Sequence, residues 1–211
     1  MNKAFIMDLD GTLLDSMDVW HNIAFEYLRS KGIQDIGKNL AKSLKTMDFI
    51  GAAQYFISEY GINLAPRLIC NEINDLLADK YKYDIDLKDG VLDFLLKHQD
   101  IKMCIATATE RPLVELALEK HEISNFFDFI ITSTEVGKCK TSPDIYIQAS
   151  KQLGTSIENI IVFEDAYHAI KSSKLAGFYT VGVYEKQFEK DKDKIIALAD
   201  KYVYSLKEWS L

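Results

Sequence analysis

No apolar run in this 211-residue chain approaches the ~18 residues that suggest a membrane span, so no membrane association is expected. Basic residues are in the minority: 25 Lys and Arg against 32 Asp and Glu leave a net charge of −7. Without a cationic face to displace counterions from phosphates, a nucleic-acid partner is not expected either. Cysteine is scarce. Cys70, Cys104 and Cys139 are odd in number and far apart, which gives neither a disulfide framework nor metal-ligand spacing. The amino terminus has one lysine and then a short apolar run that stops at Asp8, so it lacks the regions of a signal peptide, and a cytoplasmic protein is the expectation. Only three prolines and no long polar or repetitive tract argue against disorder.

What is present suits a globular enzyme. With 48% hydrophobic and 27% charged residues, a chain of this length can bury one good core, or one core and a smaller lobe. Residues 3–7 form an apolar run ending in Asp-Leu-Asp-Gly-Thr, the pattern of a buried parallel strand that feeds a polar loop. From Met17 to Tyr83 the spacing turns helical, as in Val19, Ile23, Tyr27 and in Phe49, Ala53, Phe56, Ile57, Tyr60. Gly32, Gly37, Gly61 and Pro66 break that block into several helices. After about Asp86, strand candidates (102–106, 129–132, 159–163, 179–183 and an edge strand at 202–204) alternate with helix candidates (90–98, 112–121, 145–153 and 166–176). The expected fold is therefore α/β: a Rossmann-like parallel sheet core, residues 1–15 and 86–211, with an inserted all-helical cap domain, residues 16–85.

Ligands of open α/β sheets bind outside the carboxyl ends of the strands, and four such ends carry reactive groups here. The first offers Asp8 and Asp10, the second Thr107, the loop after the third Lys140, and the fourth Glu164 and Asp165. Asp8 at a strand terminus suits a nucleophile attacking phosphorus, and Asp10, two residues on, a proton shuttle for the leaving oxygen and then for water. Neighbouring acids repel, so the cluster calls for a cation, Mg²⁺, completed by Asp165 and Glu164. Thr107 can donate to a phosphoryl oxygen, Lys140 can neutralise growing charge, and Gly11 permits a sharp turn after the acids. Taken singly, each has a plainer reading. Asp-x-Asp-Gly-Thr is turn chemistry, Thr107 has capping-box spacing to Glu110, Lys140 alone would be surface charge, and Glu164–Asp165 would cap the next helix. The ordered set carries the weight.

Phe5-Ile6-Met7-Asp8-Leu9-Asp10-Gly11-Thr12-Leu13 resembles the first motif of the haloacid dehalogenase superfamily. Ala106-Thr107-Ala108-Thr109 is similar to the second, Lys140-Thr141-Ser142-Pro143-Asp144 to the third, and Val162-Phe163-Glu164-Asp165 with Ala176-Gly177 to the fourth. The resemblance implies Asp8 as nucleophile, Asp10 as acid/base, and phosphate held by Thr107, Ala108 and Lys140. It also implies Mg²⁺ on Asp8, the Asp10 backbone carbonyl and Asp165, with Glu164 contributing directly or through water. Lys138 competes for the lysine role, and the family spacing to Pro143-Asp144 selects Lys140. Asp89 in place of a common proline and Ala169 in place of a common glycine are the milder departures. The helical insert after the first motif is similar to the cap of the subgroup containing phosphoglycolate phosphatase and β-phosphoglucomutase.

A phosphatase of a small phosphorylated metabolite, a monomer or weak homodimer, is the leading expectation. Asp10 argues against dehalogenase activity, which the family performs without a second aspartate or Mg²⁺. A phosphonatase would need a Schiff-base lysine, and nothing marks Lys31, Lys42 or Lys45 as buried. The runner-up is a β-phosphoglucomutase-like mutase, but the family position of the assisting cap histidine holds Trp20, and His21 lies about 100° round the helix. A non-catalytic protein retaining the fold is the third reading. Trp20, Lys45, Met47 and Tyr55 are the candidate substrate contacts, with cap hinges near Leu13–Ser16 and Tyr83–Leu87.

Overall fold

Ala4-Phe5-Ile6-Met7 is apolar at every position, and in the computed structural model all four residues are buried, as a central strand covered on both faces requires. The structure describes residues 3–44, 47 and 49–210. This strand, β1 (Ala4–Met7), is followed by β2 (Lys102–Thr107), β3 (Phe129–Thr132), β4 (Ile160–Glu164), β5 (Tyr179–Val183) and β6 (Lys201–Val203). They form one sheet in the order β3-β2-β1-β4-β5-β6, with every pair parallel. Chain order reverses at β1, so its carboxyl end and that of β4 bound the crevice in which such sheets bind ligands.

Between β1 and β2 the chain forms α1 (Met17–Ser30), α2 (Leu40–Leu44), α3 (Phe49–Tyr60), α4 (Pro66–Asp79) and a π-helical turn at Lys80–Asp84, then α5 (Val91–Lys97). The remaining helices are α6 (Arg111–Lys120), α7 (Ser133–Val136), α8 (Asp144–Leu153), α9 (Tyr167–Leu175) and α10 (Lys192–Leu198). The expected strand at 202–204 begins one residue earlier, and the other expected elements match within a residue or two at each end. The short α7 was not expected; Thr132 and Glu135 close a capping box at its start.

Side chains alternate across a strand, which divides the core between the two sheet faces. Phe5, Met7, Ile105 and Phe163 pack with α5, α6 and the helical insert, while Ala4, Ile6, Cys104 and Val162 pack with Ile145, Tyr146 and Ala149 of α8. The two segments joining the insert to the sheet run side by side: Leu14 and Leu87 form an antiparallel bridge, and the Asp15 N–H donates to the Asp86 carbonyl at 2.9 Å. No helix among the described residues is long and apolar enough to cross a membrane.

Candidate active site

Continuing the alternation of Ala4 and Ile6 puts Asp8 on the α8 side of the sheet, and continuing Ile160 and Val162 puts Glu164 on the same side. The Asp8 N–H donates to the Phe163 carbonyl at 3.0 Å, which extends the β1–β4 ladder and sets the two acids abreast. Lys140 reaches them from the loop before α8. Its ammonium donates to Asp8 Oδ1 and to Glu164 Oε1, and all three side chains are buried. The Tyr146 hydroxyl adds a 2.8 Å bond to the same Glu164 oxygen, and the Ser172 hydroxyl donates to the Lys140 carbonyl at 2.6 Å, fixing the loop. Lys138, by contrast, is exposed.

Asp165 follows Glu164 and is buried, yet its Oδ2 finds no hydrogen-bond partner among the described residues. A buried carboxylate oxygen left bare is costly. Asp8, Glu164 and Asp165 can each turn one oxygen into a cluster within 4.8 Å. Fully ionised, three carboxylates against one ammonium would carry two uncompensated negative charges, and the donor set is entirely oxygen, so these residues fit a divalent hard cation such as Mg²⁺, which would hold them in the charged form. The protonation tendencies agree. Burial, then the Glu164 charge, pushes the Asp8 carboxyl up to about 8 despite Lys140. Burial, then Asp8 and Glu164, raises Asp165 well above the usual carboxylate range. Burial opposes the Lys140 charge, but Asp8 and Glu164 more than offset it and raise the ammonium above the ordinary lysine value. Gly11 makes the cluster sterically possible: a Cβ there would lie 2.2 Å from Asp165 Oδ2, and its φ of +85° is one that glycine tolerates.

Asp10 stands apart from this cluster. Its Oδ1 accepts from the Ser16 hydroxyl at 2.6 Å and from Tyr81, and its Oδ2 accepts from Thr109 at 2.5 Å. The Tyr81 hydroxyl in turn accepts from Trp20 Nε1 at 2.8 Å. Thr107 is buried at the end of β2, where its hydroxyl accepts from the Thr109 N–H at 3.1 Å; Ala108, between them, is exposed. Thr107 does not cap α6, whose N-cap is Glu110, and neither Glu164 nor Asp165 caps α9.

Several residues around these acids have no role assigned from the sequence. Tyr81 and Tyr146 stand within stretches of helical spacing, and Thr109 belongs to the second motif without a task of its own. Lys88 is the least expected: its ammonium holds the Gly11 and Tyr184 carbonyls at 2.6 Å each and pairs with buried Glu185 at 2.9 Å, tying the loop after β1 to the loop after β5. Of the proposed substrate contacts, Trp20 is partly buried and engaged with Tyr81, Tyr55 packs against Phe56 and Tyr60, and Met47 is exposed. Lys45 lies outside the described residues, as does the side chain of Lys42. His21 is exposed, and Lys31 is paired with Glu72 at 2.7 Å.

Comparison with known proteins gives the site its context. The model of the haloacid dehalogenase-like hydrolase family matches residues 5–183. The chain is 27% identical over 183 residues to fructose-1-phosphate phosphatase YqaB of Escherichia coli, covering 84% of this chain and 94% of that one. It is also 27% identical over 197 residues to β-phosphoglucomutase of Bacillus subtilis, covering 88% and 84%. Among solved structures, CbbY from Rhodobacter sphaeroides in complex with phosphate superposes with a TM-score of 0.83 at 23% identity, covering 99% of this chain and 96% of that one. At that identity the likeness speaks for the α/β fold.

Proposed function

The chain belongs to the haloacid dehalogenase-like hydrolase family and is a phosphohydrolase, and on that premise we propose a Mg²⁺-dependent phosphatase of small phosphorylated metabolites that works through an aspartyl-phosphate on Asp8. The observation that carries the reading is the buried group of Asp8, Lys140, Glu164 and Asp165 at the β1–β4 crevice, with an Asp165 oxygen unpartnered among the described residues and three acids to one ammonium. Asp8, Asp165 and Glu164 would hold the cation, together with the Asp10 backbone carbonyl. When bound, it supplies charge neutralisation for the acids and the phosphoryl group.

Asp8 is the nucleophile in this reading: its carboxylate oxygen bonds to phosphorus as the ester P–O bond breaks. Lys140 orients Asp8 and balances charge on the phosphoryl oxygens, with Thr107 and Ala108 at the phosphate. Asp10 gives its proton to the leaving oxygen, then takes one from the water that attacks phosphorus, and Asp8 is released as carboxylate. Residues 16–85 act as a cap over this site, pivoting where Leu14 meets Leu87, and the substrate is a phosphomonoester such as a sugar phosphate, the class named for the E. coli relative.

Trp20 favours hydrolysis over a mutase reaction. Its indole N–H is committed to Tyr81, and indole is a donor only, so residue 20 cannot serve as a proton-accepting histidine would. The test is phosphate release from p-nitrophenyl phosphate and a panel of sugar and polyol phosphates, with a glucose 1-phosphate to glucose 6-phosphate assay alongside. Release that needs Mg²⁺, stops with EDTA and is absent in Asp8→Asn is expected. Isomerisation without net release would install the mutase instead, and inactivity on every phosphorylated compound would favour a binding protein.

A further inference from the structure

We infer that Tyr81 is a positioning residue that, with Trp20, gives the two carboxylate oxygens of Asp10 different tasks, anchoring Oδ1 and leaving Oδ2 to carry the exchangeable proton. The inference rests on the acid/base reading of Asp10. Its basis is the direction of the hydrogen bonds. An indole N–H donates and never accepts, so in the 2.8 Å contact with Trp20 Nε1 the Tyr81 hydroxyl oxygen is the acceptor. The Tyr81 hydrogen is thereby turned toward Asp10 Oδ1, where Ser16 also donates at 2.6 Å. An oxygen that receives a fixed donor is a poor seat for a proton of its own. Oδ2 is different: its partner among the described residues is the Thr109 hydroxyl at 2.5 Å, which also lies against the Tyr81 hydroxyl and can rotate to donate to a carboxylate or to accept from a carboxylic acid.

The backbone supports the same assignment. Tyr81 lies in the π-helical turn that ends the insert, where the Ile85 N–H reaches back five residues to the Lys80 carbonyl at 2.9 Å. Such widened turns recur at functional sites. The Tyr81 ring is wholly buried in the hydrophobic cluster that joins the insert to the sheet, so the hydroxyl is carried on a rigid stem. Ser16 is the N-cap of α1, and Trp20 lies one turn further on. Three of the four hydroxyl and indole groups around Asp10 thus come from the two ends of the insert, and the fourth, Thr109, from the core. In the forward step the Oδ2 proton passes to the leaving oxygen as the ester P–O bond breaks and the Asp8 O–P bond forms. In the second step Oδ2 takes a proton from water as the water oxygen bonds to phosphorus and the Asp8 O–P bond breaks.

Leaving-group dependence separates this role from a merely structural one. kcat/KM would be measured with Mg²⁺ for p-nitrophenyl phosphate, whose leaving group departs without a proton, and for phenyl phosphate, whose leaving group needs one. The wild-type protein, Tyr81→Phe and Asp10→Asn would be compared. Tyr81→Phe is expected to depress phenyl phosphate turnover about tenfold more than that of p-nitrophenyl phosphate, and Asp10→Asn more strongly still. Equal loss on both substrates in Tyr81→Phe, or no loss, while Asp10→Asn discriminates, overturns the inference alone. An Asp10→Asn protein that treats both alike overturns the acid/base reading and the inference with it. If Tyr81→Phe gives no cooperative melt, Trp20→Phe answers in its place: a shift of the ratio in the same direction supports the inference, and an unchanged ratio overturns it.

Discussion

A methyl group at residue 11 would collide with the Asp165 carboxylate, 2.2 Å from Oδ2 and 2.8 Å from Cγ, on a backbone whose φ of +85° already disfavours any side chain. Gly11→Ala is therefore expected to displace a proposed cation ligand. The Mg²⁺ concentration for half-maximal activity should rise about 10- to 100-fold, as for other changes behind a metal ligand, and a Mg²⁺ titration of phosphate release checks it. An unchanged midpoint would mean that Asp165 does not serve the cation. Lys88 carries a stability prediction. Its Nζ joins Gly11, Tyr184 and Glu185, and the Glu185 side chain is only 5% exposed. Lys88→Met strands that buried charge and should cost about 3–5 kcal/mol in urea unfolding, with part recovered by adding Glu185→Gln. The acids and Lys140 were legible in the sequence because each stands at a strand end or at a fixed spacing from Pro143. Tyr81, Tyr146 and Lys88 were not, because what makes them part of the site is a long-range contact and no local pattern.

At the level of elements, the strands were readable because a parallel strand buried on both faces is apolar throughout, as in Ile160-Ile161-Val162-Phe163. The π-helical turn was not, since the burial that holds Tyr81 inward depends on partners far along the chain. The end of α5 offers a pH test. His98 is buried there against the rings of Phe5 and Phe94, with Nδ1 2.8 Å from the Phe94 carbonyl. Burial lowers its pKa below the ordinary 6.5, so below that pH the unfolded chain binds the proton more readily than the folded one. Stability should fall as pH drops through that window, and His98→Gln should flatten this part of the slope in melts between about pH 7.5 and 5.5. An identical slope in the variant would show that the buried imidazole does not govern it.

Of the hydrophobic clusters on the two faces of the sheet, one runs from Phe5 and Phe163 through α5 and α6 to Ile69, Ile73, Leu77 and Tyr81 of the insert. The insert was legible from the change of sequence rhythm at its two ends, whereas its continuity with the core was not, because periodicity reports which face is apolar and not what covers it. The arrangement brings Asp10 under the insert while Asp8 stays with the sheet, so in the proposed mechanism proton transfer and nucleophilic attack would be governed from different parts of the fold. In the proposed reaction an Asp8 carboxylate oxygen bonds to phosphorus. Asp10→Asn should load Asp8 from p-nitrophenyl phosphate but discharge slowly, so the intermediate should accumulate. Acid quenching followed by borohydride reduction would convert a phosphorylated Asp8 carboxyl to the primary alcohol, read by mass spectrometry of the peptide that contains it. That product is expected at Asp8 alone, and only with substrate and Mg²⁺ present. An unmodified Asp8 in a quenched sample of Asp10→Asn protein that has released p-nitrophenol would contradict it.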